Sequence, residues 1–211
     1  MVSPRGFENR MMSAARKTRL MAETCAAAPD PGQFRVFGYG SLMWNPCFDP
    51  AASVIADLPG YERRFCLLTT RARGTPERPG LGLGLVPGRR GCRGIAYQLK
   101  PATLDRDVEA LFEREMGTGI YRPAWLEARA GTQALAVLAF VADTAHPQYT
   151  GELELDEMVA MISNARGRYG SCRDYLANTV AELTRMGIAE PGFEALLKHV
   201  DRRSLGILNR A

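Results

Sequence analysis

The sequence predicts an α+β domain in which a mixed, barrel-like β-sheet with flanking helices is followed by a helical C-terminal part. Strand-like apolar segments separated by Gly, Pro and Arg clusters come first, and helix-periodic apolar patterns dominate after Gly151. This order is typical of α+β proteins. The 211 residues are 46% hydrophobic and 24% charged, which fits a single domain, predicted over residues 34–205.

Residues 1–33 are predicted to form a disordered or loosely attached tail. The segment has little apolar content and carries five scattered basic residues: Arg5, Arg10, Arg16, Lys17 and Arg19. It lacks the apolar region of a secretory signal. A transit peptide or a nucleic-acid-binding arm is less favoured, because the basic residues do not form a dense block.

Five strands and four helices are predicted after this tail. Apolar runs bounded by Gly and Pro predict strands at Phe34–Gly40, Arg64–Thr69, Leu81–Val86, Gly94–Leu99 and Ala134–Ala142. One helix, with Thr103 as its N-cap, lies between the fourth and fifth strands. Apolar faces at helical spacing predict three more helices, over Leu155–Ile162, Tyr175–Met186 and Phe193–Val200. Ser171 is predicted to cap the second of these, and Gly187 to end it.

Glu115 occupies a position where the helical pattern predicts an apolar residue. It continues the apolar face of Leu104, Val108, Leu111 and Phe112. A carboxyl group directed at a core must be paired, hydrogen-bonded or protonated, and enzymes use such groups as acids or bases near neutral pH. A buried salt bridge, or a helix-end residue that points outwards, is the alternative explanation.

Glycines flank Tyr39 in the segment Gly38–Leu42, directly after the first predicted strand. They allow a sharp turn whose backbone N–H groups approach a ligand, and with the Ser41 hydroxyl they could bind a carboxylate. A plain turn is the alternative. Three other positions leave both possibilities open: the turn with Arg73 and Gly74 could cover an acidic substrate or be solvated, and Tyr121 and Tyr149 could belong to the core or to a site.

The remaining composition excludes several functions. Five well-separated cysteines without a CxxC pair, and two histidines, indicate neither a disulfide framework nor a zinc site, and they favour a reducing cytoplasm. We therefore expect no metal and no cofactor. The apolar runs are too short for a transmembrane helix, so we expect no membrane partner. A net charge of +4 does not argue for nucleic acid.

In order along the chain, these segments resemble the ChaC-type γ-glutamylcyclotransferases, the glutathione-specific branch of the γ-glutamylcyclotransferase-like fold. The resemblance covers about residues 34–200. It rests on seven segments: Val36–Leu42, Arg63–Phe65, Arg73–Pro76 with Pro79–Gly80, Gly94–Tyr97, Arg114–Met116 with Gly119, Tyr121, Pro123 and Trp125, His146–Tyr149, and Gly170 with Tyr175–Leu176. The chain departs from the family pattern at residues 164–169, where Arg166 and Arg168 are added.

The resemblance implies the roles of the site residues. Glu115 would be the catalytic acid/base, and substrate would bind at Val36, Phe37, Gly38, Tyr39, Gly40, Ser41 and Leu42, with Arg73, Gly74, Tyr121 and Tyr149 as weaker candidates. The implied reaction converts glutathione to 5-oxoproline and Cys-Gly. Alternatives are an enzyme acting on other γ-glutamyl amines or amino acids, and a non-catalytic regulator of cation transport. We expect a cytoplasmic monomer or weak homodimer.

Overall fold

A computed structural model describes residues 11–204 of the chain. The described residues contain five α-helices and nine strands. The helices are α1 (Ala14–Ala26), α2 (Leu104–Glu115), α3 (Leu155–Asn164), α4 (Cys172–Arg185) and α5 (Pro191–Ser204). The strands are β1 (Arg35–Gly38), β2 (Ala52–Leu58), β3 (Tyr61–Thr69), β4 (Gly80–Pro87), β5 (Cys92–Gln98), β6 (Tyr121–Ala130), β7 (Gln133–Ala142), β8 (Arg166–Gly167) and β9 (Gly170–Ser171). Within residues 11–204, no helix is long and apolar enough to cross a bilayer.

The chain divides into two compact units, and strands β3 and β4 contribute residues to both. The first, which we call the barrel unit, comprises residues 11–64 and 84–146 among the described residues. The second, the helical unit, comprises residues 65–83 and 147–204. The prediction of one domain over residues 34–205 stays a prediction, and residue 205 lies outside the described residues.

A closed ring of strands forms the barrel unit. The order along the seven-stranded sheet is β1-β5-β2-β6-β7-β4-β3, and β1 also pairs in parallel with β7 through Val36 and Leu138. The pairs β1–β5, β2–β5, β2–β6 and β6–β7 are antiparallel, whereas Leu85 of β4 pairs in parallel with Val141 of β7. The sheet is therefore mixed and barrel-like, and the predicted fold class is confirmed.

Helix α2 packs against the barrel through its apolar face. Phe112 lies edge-on to Phe140 of β7, with ring centroids 5.7 Å apart, and Leu111 and Met116 are also buried. Thr103 is the N-cap residue, as predicted, but its hydroxyl donates to Asp107 Oδ2 at 2.6 Å and does not cap a backbone N–H. This packing fixes the C-terminal end of α2, where Glu115 lies.

Helix α1 occupies part of the segment that was predicted to be a disordered or loosely attached tail, and residues 14–26 are helical and not disordered. Ser13 caps the helix by accepting a hydrogen bond from the Arg16 N–H at 3.3 Å. The Trp125 indole donates to the Thr24 carbonyl at 2.9 Å, and Lys17 forms an ion pair with Glu113 of α2 at 2.6 Å. These tertiary contacts stabilise a helix whose sequence contains few large apolar residues, Leu20 and Met21. Residues 1–10 of the predicted tail lie outside the described residues.

Helices α3, α4 and α5 dominate the helical unit. Its buried side chains include Ile162, Leu176, Leu196 and Val200, and Phe65 of β3 contacts the rings of Tyr175 and Phe193. Ser171 caps α4 by accepting from the Asp174 N–H at 3.0 Å, as predicted. Gly187, with φ of 68°, follows the C-cap of α4, and the prediction that it ends this helix is confirmed.

The five predicted strands and four predicted helices are all present, and the sequence patterns missed two longer strands. Four consecutive residues of β2, Ala52–Ile55, are exposed, so β2 shows no clear alternation of apolar and polar residues. Strand β6 contains Pro123 and is mostly half-buried, which likewise obscures a strand pattern. Both strands are nevertheless needed to close the barrel.

Candidate active site

Hydrogen-bond donors of the barrel unit bind the carbonyl oxygens of the turn that follows β1. It consists of Tyr39 and Gly40 followed by a 3₁₀ turn at Ser41–Met43. Five consecutive carbonyls accept hydrogen bonds. The Tyr39 carbonyl accepts from Arg63 Nη1 at 2.9 Å, and the Leu42 and Met43 carbonyls accept from the Tyr97 hydroxyl at 3.1 and 3.3 Å. The carbonyls of Gly40 and Ser41 accept from the backbone N–H groups of Met43 and Asn45, both at 2.9 Å. The carbonyl dipoles are thus directed at protein donors. N–H groups of such a turn that faced a ligand would favour an anion.

A buried cation lies behind this turn. Arg63 is only 3% exposed, and the same Nη1 that donates to the Tyr39 carbonyl lies 3.7 Å from Met43 Sδ. A guanidinium group keeps its positive charge at any physiological pH, and its field is poorly screened in a low-dielectric interior. Arg63 therefore makes the turn more favourable for a negatively charged group.

The glycines around the turn are required for close packing. A Cβ at Gly38 would lie 3.0 Å from Tyr97 Cε2 and 3.3 Å from Leu42 Cβ. A Cβ at Gly94 of β5 would lie 2.4 Å from the Gly38 carbonyl oxygen, a distance at which backbone must move. The absence of these side chains allows β1, β5 and the turn to approach one another.

Glu115 is the last residue of α2, and its side chain is 15% exposed. Burial raises the pKa of this carboxyl, and the positive charge and hydrogen bond of Arg114 partly oppose that rise. Glu115 Oε1 lies 3.2 Å from Arg114 Nε, so the ion pair proposed as the alternative explanation is present. The pKa nevertheless remains above the ordinary value, which suits a proton acceptor at near-neutral pH.

Arg114 connects this acid to the turn. Its Nη2 donates to Ser41 Oγ at 2.8 Å, its Nη1 donates to the Asn45 carbonyl, and its Nε contacts Glu115. One guanidinium group thus spans from the Glu115 carboxylate to the Ser41 hydroxyl. The structure therefore brings together Glu115 and the Gly38–Leu42 turn, which are more than 70 positions apart in the sequence.

Cys47 is a third ionisable group at this place. Burial raises the pKa of its thiol, the charge of Arg114 opposes the rise, and the charge of Glu115 adds to it. A thiol with a raised pKa is protonated at neutral pH and is a poor nucleophile. Of the two groups, Glu115 is therefore the one suited to proton transfer.

The other predicted residues of the barrel unit contribute mainly through their backbone or through packing. The side chains of Val36 and Phe37 are fully buried, and Leu42 is 6% exposed. The Tyr39 hydroxyl donates to the Phe140 carbonyl at 2.7 Å, which holds this side chain against β7. Tyr121 is half-buried at the first residue of β6, opposite Ala142 of β7.

Three predicted residues belong to the helical unit, where each has local contacts. Arg73 Nη1 donates to the carbonyls of Tyr169 and Ser171, and its guanidinium carbon lies 5.5 Å from the Tyr175 ring centroid. A Cβ at Gly74 would lie 2.3 Å from Gly80 N, so packing requires glycine there. Tyr149 is half-buried and forms a β-bridge with Leu67. Their roles towards a substrate stay predictions.

Sequence reasoning did not assign a role to four residues that build this site: Arg63, Tyr97, Arg114 and Cys47. Arg114 directly precedes the candidate acid, and a cation adjacent to a carboxyl directed at the core is a usable signal. Arg63 and Tyr97 lie in strands, and no local pattern relates them to a turn more than 20 residues away.

Comparison with known proteins identifies the family of the chain. The family model described as "ChaC-like protein" matches residues 34–203. The glutathione-specific γ-glutamylcyclotransferase of Escherichia coli is 36% identical over 197 residues, which cover 92% of this chain and 84% of that protein. Human glutathione-specific γ-glutamylcyclotransferase 1 is 33% identical over 151 residues, covering 70% of this chain and 68% of that protein. The chain belongs to the ChaC-like family.

A solved structure supports the fold independently. The crystal structure of a yeast γ-glutamyl cyclotransferase specific to glutathione superposes with a TM-score of 0.74 at 22% identity. The match covers 81% of this chain and 96% of the yeast chain. Because a TM-score of this size extends over nearly the whole yeast chain, the two proteins share their fold.

Proposed function

We propose that this chain is a glutathione-specific γ-glutamylcyclotransferase, a lyase that acts on a small-molecule substrate and releases 5-oxoproline and Cys-Gly. The activity named for the relatives from Escherichia coli and human supports this proposal. The observation that carries it is the pairing of a half-buried acid, Glu115, with a turn whose carbonyls are bound to protein donors. An acid/base and an anion site are the two groups that this reaction needs.

In the proposed reaction the substrate supplies its own nucleophile. The α-amine of the γ-glutamyl residue attacks its γ-carbonyl carbon, the bond from that carbon to the cysteine nitrogen breaks, and a five-membered lactam forms. No water, redox step or external nucleophile enters this balance. Holding the chain in a curled conformation can supply about 7–11 kcal/mol of the barrier in well-oriented cases.

Glu115 would transfer the protons that this reaction moves. An α-ammonium group cannot attack until it loses a proton, and the Glu115 carboxylate would accept it and return it to the departing nitrogen of Cys-Gly. The attacking nitrogen loses a second proton as the lactam forms, and the same carboxylate would pass it to that amine, which departs as an ammonium. A pKa raised by burial moves the titration of this carboxyl towards the working range of pH.

The segment Val36–Leu42 would bind the γ-glutamyl group. We propose that the turn from Gly38 receives the α-carboxylate, because its carbonyls are occupied and Arg63 places a positive charge behind it. This contact would fix the curl that brings the amine to the γ-carbonyl. Arg73, Gly74, Tyr121 and Tyr149 stay weaker candidates for substrate contacts.

The finer points of the biological setting are also proposals. All five cysteines are free thiols, which supports a cytoplasmic location, where thiols stay reduced. We propose a monomer or weak homodimer without nucleic-acid or membrane partners. An enzyme acting on other γ-glutamyl amines or amino acids is the nearest alternative, and a non-catalytic regulator of cation transport is less favoured because it needs no poised acid.

The test is an assay of 5-oxoproline release from glutathione and from γ-glutamyl-alanine, with Cys-Gly measured in parallel. We expect glutathione to be turned over and Glu115→Gln to lose about 10²–10⁴-fold in kcat while keeping its fold. Glu113→Gln is the matched control, because that carboxylate lies on the same helix, is 63% exposed and pairs with Lys17. It should retain the wild-type rate.

Three outcomes would contradict the proposal. Faster turnover of γ-glutamyl-alanine would favour the alternative substrate class. Wild-type turnover in folded Glu115→Gln would remove Glu115 from the mechanism. A folded wild-type chain that releases no 5-oxoproline from either compound would exclude the cyclotransferase activity.

A further inference from the structure

Arg114 makes contacts that differ from those of an ordinary helix-end arginine. Its side chain is only 24% exposed, and three of its nitrogens contact three separate groups. These are the Glu115 carboxylate, the Ser41 hydroxyl and the Asn45 carbonyl. Two of the three partners lie in or directly after the turn that we propose as the α-carboxylate site.

The planar shape of guanidinium gives this arrangement a fixed geometry. The nitrogens of arginine point outwards from one rigid plane, so partners bound to different nitrogens are held at set positions relative to one another. The Ser41 hydroxyl lies 2.8 Å from Nη2 and Glu115 Oε1 lies 3.2 Å from Nε. A lysine has a single ammonium on a flexible chain and cannot hold both at defined spacing.

We propose that Arg114 is a positioning residue of the cyclisation reaction, holding the Glu115 carboxylate and the Ser41 turn at a fixed separation. This inference rests on the proposed function. An α-amine is one carbon away from its α-carboxylate, so a substrate anchored by the turn presents its amine within a narrow region. Arg114 keeps the base directed at that region and does not itself react.

The same contact sets the charge state of the base. The titratable groups that face Glu115 are Arg114 from α2, which is charged, and Cys47 from the segment after the Ser41–Met43 turn, whose thiol is protonated at neutral pH. Burial raises the pKa of Glu115, and Arg114 is the group that opposes this rise. Loss of the Arg114 charge would therefore raise that pKa further and leave less carboxylate available as base.

The experiment compares three variants on glutathione across a range of pH. Arg114→Gln removes the charge, and we expect a roughly 10²-fold loss of kcat/KM, the size that misplacement of a reacting group by an ångström can cause. The acidic limb of its pH–rate profile, the low-pH side on which activity rises as the base loses its proton, should move to higher pH by about one unit or more. Arg114→Lys keeps a charge near Glu115, so its acidic limb should stay close to that of the wild type while kcat remains reduced. Arg129→Gln, a 65% exposed arginine paired with Glu127, should match the wild type in both.

A double-mutant cycle tests the link to the turn. If Arg114 acts through Ser41, then Ser41→Ala should cost less in the Arg114→Gln background than in the wild type. Multiplicative losses would show that the two residues act independently and would overturn that part of the inference. Circular dichroism and Tm separate these effects from a loss of fold.

The failure of this inference differs from the failure of the proposed function. A folded Arg114→Gln with a wild-type rate and an unmoved acidic limb would overturn the positioning role, while Glu115→Gln stays inactive. A reduced rate with an unmoved limb in Arg114→Gln would assign Arg114 a purely structural role, which also overturns it. Absence of turnover in the folded wild-type chain would instead reject the cyclotransferase.

Discussion

Two turns that each follow a strand, one after β1 in the barrel unit and one after β3 in the helical unit, differ in their hydrogen bonding. In the barrel unit, the carbonyls of the turn after β1 accept from the buried side chains of Arg63 and Tyr97. In the helical unit, the carbonyls of Arg71 and Ala72 accept from the N–H groups of Arg168 and Tyr169 at 2.8 and 2.9 Å. The first turn is bound by side chains of β3 and β5, and the second by the backbone of the β8–β9 hairpin.

The two arginines also differ in what they do for their turns. Arg63 is buried, and its Nη1 donates to the backbone of the candidate anion site. Arg73 donates to the Tyr169 and Ser171 carbonyls and lies over the Tyr175 ring. The Arg63 charge thus lies beside the proposed anion site, whereas the contacts of Arg73 hold the hairpin. Residue type alone does not distinguish a site from a packed turn; the direction of the donors does.

The largest effect in this comparison is expected from Arg63→Met. The change removes the buried cation and leaves the Tyr39 carbonyl without this donor, which should lower the free energy of unfolding by about 1–3 kcal/mol. The weakened anion site should raise KM for glutathione roughly tenfold, a difference of about 1.4 kcal/mol in binding. Steady-state kinetics and denaturant titration measure the two quantities.

Arg64→Met is the matched control for that prediction. Arg64 is the next residue of β3, is 33% exposed and forms an ion pair with Glu62, which also pairs with Arg90. The charge change is the same on the opposite face of the strand, so KM should stay at the wild-type value. An equal rise of KM in both variants would show that overall charge, and not the Arg63 contact, accounts for the effect.

A smaller effect is expected from Arg73→Gln in the helical unit. The variant loses the donor to the hairpin carbonyls at a partly exposed position, and we expect the free energy of unfolding to fall by about 0.5–1.5 kcal/mol. Thermal or denaturant unfolding measures this loss. A rise in KM with unchanged stability would support the role of Arg73 in substrate binding and would remove the difference between the two turns.

The smallest effect is the pH dependence of stability that Glu115 contributes. Because burial raises its pKa in the folded state, the folded protein holds this proton more tightly than the unfolded chain does. The stabilising contribution is complete below the ordinary value of 4.5 and is lost as pH rises through the raised pKa. Glu115→Gln cannot ionise and does not lose stability in this way. As pH rises from 4.5 through the raised pKa, the Tm of Glu115→Gln should therefore increase relative to that of the wild type.

The control for the Tm series is again Glu113→Gln, whose exposed side chain reports the general effect of removing one negative charge. The difference in Tm between Glu113→Gln and the wild type should not increase with pH as it does for Glu115→Gln. If Glu115→Gln and Glu113→Gln give parallel curves, Glu115 does not ionise with a raised pKa.

Much of the fold was predictable from local patterns. Apolar runs between glycine and proline identified five strands, and helical periodicity identified four helices with the Ser171 cap and the Gly187 stop. These features depend on neighbours within a few residues, which the sequence displays directly. Strand β2 and helix α1 escaped prediction because tertiary contacts, and not their own periodicity, stabilise them.

In the candidate site, too, some features follow from local sequence and others only from tertiary contacts. The sequence by itself determined that Glu115 continues an apolar helix face and that glycines make a turn after the first strand. Only the tertiary structure decided that Arg114 joins the two, that Arg63 and Tyr97 occupy the carbonyls of the turn, and that Arg73 binds a hairpin. The physical reason is that hydrogen-bond direction and burial depend on which distant strands lie side by side, and barrel closure sets that order.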